Sequence, residues 1–177
     1  MMTGTKLGLV AVLAAVVSLG AAPAGAGEKP IQIALIDPVQ IVNQDDSVRG
    51  LRLNLIYGNN AQMRGLDLGL VNRTSSLTKG FQHGLIGFSE GGFIGFQNNV
   101  VNVTEGPFEG LQAGGFNSAG RVDGFQWGLV NTTESLSGFQ LGFLNITNHL
   151  DGLQIGLLNI AKGKDSFPVL PLVNWSF

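Results

Sequence analysis

A short glycine-led phrase recurs through most of the chain and constrains its fold more than any other feature. The best preserved copies read GFQWGLVNTT, GFQLGFLNIT and GLQIGLLNIA. Successive leading glycines are fifteen residues apart four times and then fourteen residues apart three times. These glycines are Gly50, Gly65, Gly80, Gly95, Gly110, Gly124, Gly138 and Gly152. Self-similarity at a fixed period indicates an architecture built from repeated supersecondary units.

Glutamine holds a fixed place in this repeat, two residues after the leading glycine. The glutamines are Gln82, Gln97, Gln112, Gln126, Gln140 and Gln154. Asp67 takes that place in the second unit, and asparagine closes most units. Large apolar residues fall at two-residue spacings around the glutamine, which predicts β-strands rather than helices. Glycine and glutamine then share one strand face, where we expect the glutamines to form a structural hydrogen-bond ladder.

Two all-β architectures fit this pattern. A straight strand of eleven residues, such as LDGLQIGLLNI, spans about 36 Å. The three or so residues left between most such segments suit a hairpin loop. We therefore predict an antiparallel up-and-down β-barrel of about ten strands, an even number typical of bacterial barrels. The alternative is a β-solenoid of 14–15-residue coils, which requires every unit to bend at its glycines into shorter strands.

The sparse charges point to a lipid environment. Only 12% of residues are charged, and most of these lie at the ends of the predicted strands. A tilted strand of this length covers roughly 25–28 Å, the height of the apolar belt of an outer-membrane barrel. We expect leucine and phenylalanine to face outer-membrane lipid. His83 and Asn98 interrupt that face, which indicates either a contact with another subunit of a homo-oligomer or a local failure of the assignment.

The two ends of the chain carry export signals. Residues 1–26 combine Lys6, the apolar run LGLVAVLAAVVSLG and a small-residue AGA motif before Gly27, as a secretory signal peptide does. Its apolar run is shorter than the roughly twenty residues that span a membrane. We therefore expect residues 1–26 to be a signal peptide and residues 27–177 to be a single repeat-built β domain. Trp175 and Phe177 share a strand parity at the C-terminus.

That terminus resembles the final strand of bacterial outer-membrane proteins, whose closing aromatic residue is read by the insertion machinery. Trp175 and Phe177 are therefore the predicted insertion signal, although Pro168 and Pro171 depart from the pattern. The phrases GLRLNLIYG, GLDLGLVN and GLQIGLLN, with the proline-containing apolar tail, resemble an uncharacterised bacterial family of surface repeat-containing proteins. The resemblance covers most of the mature chain. It implies export and an outer-membrane or cell-surface location, and it assigns no activity and no site residues.

No catalytic, cofactor-binding or metal-binding constellation is predicted. The chain has no cysteine, and its two histidines, His83 and His149, are far apart with no carboxylate at a ligand spacing. No phosphate-binding loop occurs. The ten lysines and arginines are scattered, which argues against a nucleic-acid partner. We therefore expect a protein that is not an enzyme and that needs no cofactor.

Three hypotheses for function remain at the level of sequence. The favoured one is a small outer-membrane β-barrel or cell-surface protein with a structural or weakly permeable role. Its partners are outer-membrane lipid and the insertion machinery. The second is an exported soluble β-solenoid that acts as a surface interaction or adhesive module. The third is a narrow channel for small solutes.

Overall fold

The computed structural model describes residues 27–177, which form seven strands in a single sheet of order β2-β1-β3-β4-β5-β6-β7. The strands are β1 (Glu28–Ile36), β2 (Val39–Gln40), β3 (Ser47–Asn60), β4 (Met63–Thr74), β5 (Leu77–Ser89), β6 (Gly92–Ala161) and β7 (Val169–Ser176). The signal peptide predicted for residues 1–26 lies outside the described residues. Within the described part of the chain, no helix is long and apolar enough to cross a bilayer.

Successive repeat units run in the same direction and stack in register. Strands β3, β4 and β5 pair in parallel, and β5 pairs in parallel with the start of β6. Gly65, for example, is aligned with Gly50 on one side and with Gly80 on the other. The long segment β6 continues this stacking, because each of its leading glycines lies against the backbone of the glycine one unit earlier. The chain is therefore a β-solenoid, as the alternative expected, and the predicted antiparallel barrel is wrong.

The reason is that each unit bends instead of running straight. The leading glycines turn a corner with positive φ, for example 140° at Gly124 and 131° at Gly138, where residues with a side chain are strained. A Cβ atom on Gly138 would overlap the carbonyl oxygen of Gly124. Further along the unit, Leu129 and Val130 are adjacent and neither is buried, so the alternation of faces shifts there. Because of these bends, one unit of 14–15 residues completes a whole coil. In a straight strand most of the same residues would be needed to cross the sheet once.

The interior of the coils is mostly polar. Glutamines and asparagines of the repeat are fully buried, whereas the main apolar core occupies one corner of the coils. That corner contains Phe93, Phe108, Ala119, Val122 and Leu136. A smaller apolar cluster lies near the N-terminal end of the sheet. Buried amides are tolerated only when they are hydrogen-bonded, so the amide geometry decides whether this interior is stable.

Both ends of the solenoid carry strands that differ from the repeat. At the N-terminal end, β1 pairs in parallel with β3 and antiparallel with the short β2. At the C-terminal end, β7 pairs antiparallel with the end of β6 and forms the edge of the sheet. Pro171 lies within β7 and Pro168 just before it. Because proline lacks a backbone donor, it protects such an edge from further strand addition.

Candidate functional site

The six glutamines predicted to form a ladder lie in one buried column, here called the glutamine column. In each step the Nε2 of one glutamine donates to the Oε1 of the glutamine one coil earlier, at 2.7–3.0 Å. The column starts at Asp67, whose Oδ2 accepts from Gln82 Nε2 at 2.8 Å. The hydrogen bonds between glutamines are therefore all donated toward the N-terminal end of the solenoid.

A buried ion pair, which was not predicted from the sequence, extends this column by one coil. Arg52 donates from Nε and Nη2 to the two carboxylate oxygens of Asp67, at 2.7 and 2.6 Å. Its Nη1 donates to the carbonyl oxygen of Arg73 at 2.9 Å. Both charged side chains are fully buried. The signal was present in the sequence, because Arg52 and Asp67 occupy the glutamine place in consecutive units.

A second amide column runs parallel to the first and is made by the asparagines that close the units. Asn117 Nδ2 donates to Asn131 Oδ1 at 2.8 Å, and Asn131 Nδ2 donates to Asn145 Oδ1 at the same distance. The donors of this asparagine column point toward the C-terminal end. The amide dipoles of the two columns therefore oppose one another.

One interruption of the asparagine column is compensated from the next coil. Gly87 stands where the register requires asparagine, between Asn72 and Asn102. Asn99 stands where other units have their second glycine. Its side chain fills the space that an asparagine side chain at the place of Gly87 would occupy. Its Nδ2 donates to Gln82 Oε1 at 3.0 Å and to Asn102 Oδ1 at 2.7 Å. The exchange keeps the buried amides connected.

The outer surface above these columns is apolar, and we call it the apolar face. In each unit it consists of the residue after the leading glycine, the residues on both sides of the second glycine, and the residue before the closing asparagine. In the unit that starts at Gly124 these are Phe125, Trp127, Leu129 and Val130. Trp127 and Leu129 are 58% and 57% exposed. Stacking Gly50 to Gly152 at about 4.8 Å per coil makes the face about 34 Å long.

No Asp, Glu, Lys or Arg side chain belongs to the apolar face in the units from Gly50 to Gly152. The outward charges lie before the leading glycines or beyond the closing asparagines. Arg73, for example, donates from Nε to Glu90 at 3.1 Å. Hydrogen bonds to Glu90 and then to Tyr57 raise the pKa of Arg73 above its ordinary value.

The two polar residues that interrupt the predicted lipid-facing surface lie together on the apolar face. His83 and Asn98 are register partners in adjacent coils, and His83 Nδ1 lies 3.0 Å from the carbonyl oxygen of Asn98. At the C-terminus, Trp175 is exposed on β7 opposite Leu153, and Phe177 follows the strand. Their role as an insertion signal remains a prediction. In residues 27–177 no group of three or more His, Cys, Asp or Glu side chains is placed to hold a metal ion.

Comparison with known proteins adds no relative to this picture. No family model, no curated protein and no solved structure matches the chain.

Proposed function

We propose that the protein is an exported β-solenoid that serves as a surface interaction module and binds a lipid membrane peripherally through its apolar face. The observation that carries this proposal is the placement of polar columns inside the coils and large uncharged side chains outside them. Leu157 and Phe143, for example, are 61% and 59% exposed.

The size of the face supports an interaction role. A contiguous apolar patch of more than a few hundred Å² on a protein surface marks an interaction site. The apolar face is about 34 Å long, since seven coil intervals of about 4.8 Å separate its ends, and four columns wide. Because leucine, phenylalanine and other apolar residues recur in most coils, the face repeats along its length, with interruptions at His83, Asn98, Ala113 and Gly115.

The chemistry of the face favours lipid over a protein partner. A typical protein interface carries about ten direct hydrogen bonds besides its apolar contacts. The apolar face offers only the side chains of Tyr57, His83 and Asn98 as polar groups in the repeat units, and Tyr57 is hydrogen-bonded to Arg73. Several of its backbone carbonyl oxygens already accept from the asparagine column, including those of Trp127 and Leu141. A hydrocarbon layer forms no hydrogen bonds, so it needs no donors or acceptors on the apolar face.

The charges are arranged as a peripheral membrane protein requires. Surface-bound elements bury an apolar face about 5–10 Å into the boundary between headgroups and acyl chains, and keep a polar face in water. Glu105, Glu134 and Lys162 are exposed on the side beyond the asparagine column. Trp127 adds an aromatic side chain of the type enriched at membrane interfaces.

The interior gives no support to the channel hypothesis. The glutamine and asparagine columns and the apolar corner fill the described coils with buried side chains. The proposal therefore concerns the outside of the solenoid.

Flotation with phosphatidylcholine vesicles tests the proposal, with a lysine placed on the apolar face and a matched lysine placed elsewhere. Phe139 is 52% exposed on the face, and Asn148 is exposed on the charged side of the same unit. Loss of one buried aromatic side chain should weaken partitioning of Phe139→Lys about tenfold. Asn148→Lys should float like the unaltered protein.

The proposal is overturned if the unaltered mature protein stays at the bottom of the gradient, or if both variants float equally well. A protein that ignores vesicles but forms a stable dimer in gel filtration would show that a second copy covers the face. Far-UV circular dichroism checks that each variant is folded. Leu153→Lys, in the same column one coil further on, replaces Phe139→Lys if that variant does not fold.

A further inference from the structure

The apolar face contains a groove that follows the solenoid axis. Its volume is about 770 Å³, within the range of roughly 300–1,000 Å³ that is usual for small-molecule sites. One wall includes Trp127, Leu141 and Ile155, and the other includes Leu129, Phe143 and Leu157. The groove ends against Leu172 and Val173 of β7.

The second glycines of the units make the floor of this groove. Gly114, Gly128, Gly142 and Gly156 follow one another along it. A Cβ atom on Gly128 would overlap the carbonyl oxygen of Gly114, so the stacked backbone leaves no room for a side chain here. At Gly128, Gly142 and Gly156 the larger side chains on both sides of the glycine then stand above a bare backbone strip, whereas Gly114 is flanked by Ala113 and Gly115.

The backbone carbonyl groups beside the floor already accept hydrogen bonds. The carbonyl oxygens of Trp127, Leu141 and Ile155 accept from asparagine Nδ2 atoms of the column beneath, at 2.9–3.0 Å. No charged side chain lines the groove within the part of the chain that the structure describes. A peptide strand laid in it would leave its own buried N–H and C=O groups without partners, which is unfavourable.

We propose that this groove binds one acyl chain of a membrane lipid. An unbranched hydrocarbon matches the uncharged walls and needs no hydrogen bond from the floor. Five coil intervals of about 4.8 Å, from Asn98 to β7, give the groove a length of about 24 Å, an elongated shape that suits a chain better than a compact ligand. The inference rests on the proposed function, because it assigns a single lipid tail to part of the membrane-binding face.

Fluorescence quenching by a nitroxide-labelled long-chain fatty acid tests the groove without vesicles. The protein has two tryptophans, and only Trp127 lines the groove. In the Trp175→Phe variant the label should quench Trp127 saturably. In the Trp127→Phe variant, Trp175 should be quenched only weakly and without saturation. Equal quenching of both tryptophans would overturn the proposal, because it indicates general adsorption to apolar surface.

A matched pair of lysine variants, made in the Trp175→Phe background, tests the groove itself. Leu141 and Asn148 belong to the same unit and both are exposed, but only Leu141 lines the groove. Leu141→Lys should weaken fatty-acid binding about tenfold or more, since the charge would be desolvated by the chain. Asn148→Lys, on the charged side, should change it less than about twofold, because distant sites without shared contacts act independently.

Equal loss in the two variants contradicts the groove assignment, and Ile155→Lys repeats the test if Leu141→Lys does not fold. The two proposals fail separately. Vesicle binding without saturable fatty-acid binding removes the groove alone. Saturable fatty-acid binding without vesicle binding removes the membrane-surface function alone.

Discussion

At the scale of single residues, the buried charges at the start of the glutamine column are the most demanding feature. Asp67 accepts from Arg52 on one side and from Gln82 on the other. Removing one member of a buried ion pair costs about 3–5 kcal/mol, because the other charge is left uncompensated. Replacing both members together can be neutral, because neither charge is then buried.

A double-mutant cycle between these two residues should therefore be strongly non-additive. Arg52→Gln and Asp67→Gln should each lower the free energy of unfolding by about 3–5 kcal/mol. The double variant extends the glutamine column by two rungs and should lie within about 1–2 kcal/mol of the unaltered protein. Urea unfolding followed by circular dichroism measures all three. Additive losses would show that Arg52 and Asp67 do not act as a pair.

At the scale of the repeat unit, the sequence predicted that glycine and glutamine share the inner face, but neither the shift of faces after the second glycine nor the direction of the strands. The pattern of one apolar residue, glycine, glutamine, glycine and another apolar residue reads the same in both directions. It therefore fits parallel and antiparallel neighbouring strands equally. The direction depends on bends at residues such as Gly124 and on the adjacent outward pair Leu129 and Val130. Those bends arise from backbone close approach between coils, which a single unit does not reveal.

The candidate site was predictable to a similar extent. The recurrence of glutamine indicated a column, because stacked repeats place equivalent residues together. The exchange of Gly87 and Asn99 was not predictable. It joins residues from different units and different places in the repeat, and it becomes visible only when the coils are set in register.

Restoring the regular repeat residues in place of Gly87 and Asn99 should preserve stability only when both residues are changed together. Gly87→Asn alone places a side chain in the space of the Asn99 amide and should cost about 1–3 kcal/mol through overpacking. Asn99→Gly alone removes two buried hydrogen bonds and should cost a similar amount. The double variant should regain most of the loss, because the asparagine introduced in place of Gly87 would join Asn72 to Asn102 in a continuous column.

Thermal unfolding of the two single variants and the double variant measures this recovery. A double variant that is as unstable as the sum of the single variants would mean that the two places are independent. Glu134→Gln, on the exposed charged side of the solenoid, provides a control that should leave stability nearly unchanged.

At the scale of the whole molecule, parallel stacking explains both the polar interior and the apolar outer surface of the solenoid. Aligning identical units turns one glutamine into a column of hydrogen bonds and one leucine or phenylalanine into an apolar stripe. The coil is narrow, so short amide side chains such as Gln126 and Asn131 fill much of it. The larger apolar side chains are left outside, and the proposed membrane binding follows from this inversion.

Disulfide trapping between designed cysteine pairs tests the parallel stacking most directly, because the natural chain has no cysteine. Arg64 and Lys79 are register partners in adjacent coils, and parallel strands about 4.8 Å apart fall within the Cα separation that a disulfide requires. An antiparallel meander centred on Leu68 and Gln82 would instead place Lys79 opposite Val71. The parallel solenoid predicts rapid intramolecular crosslinking of Arg64→Cys with Lys79→Cys and none of Val71→Cys with Lys79→Cys; the reverse result would contradict it.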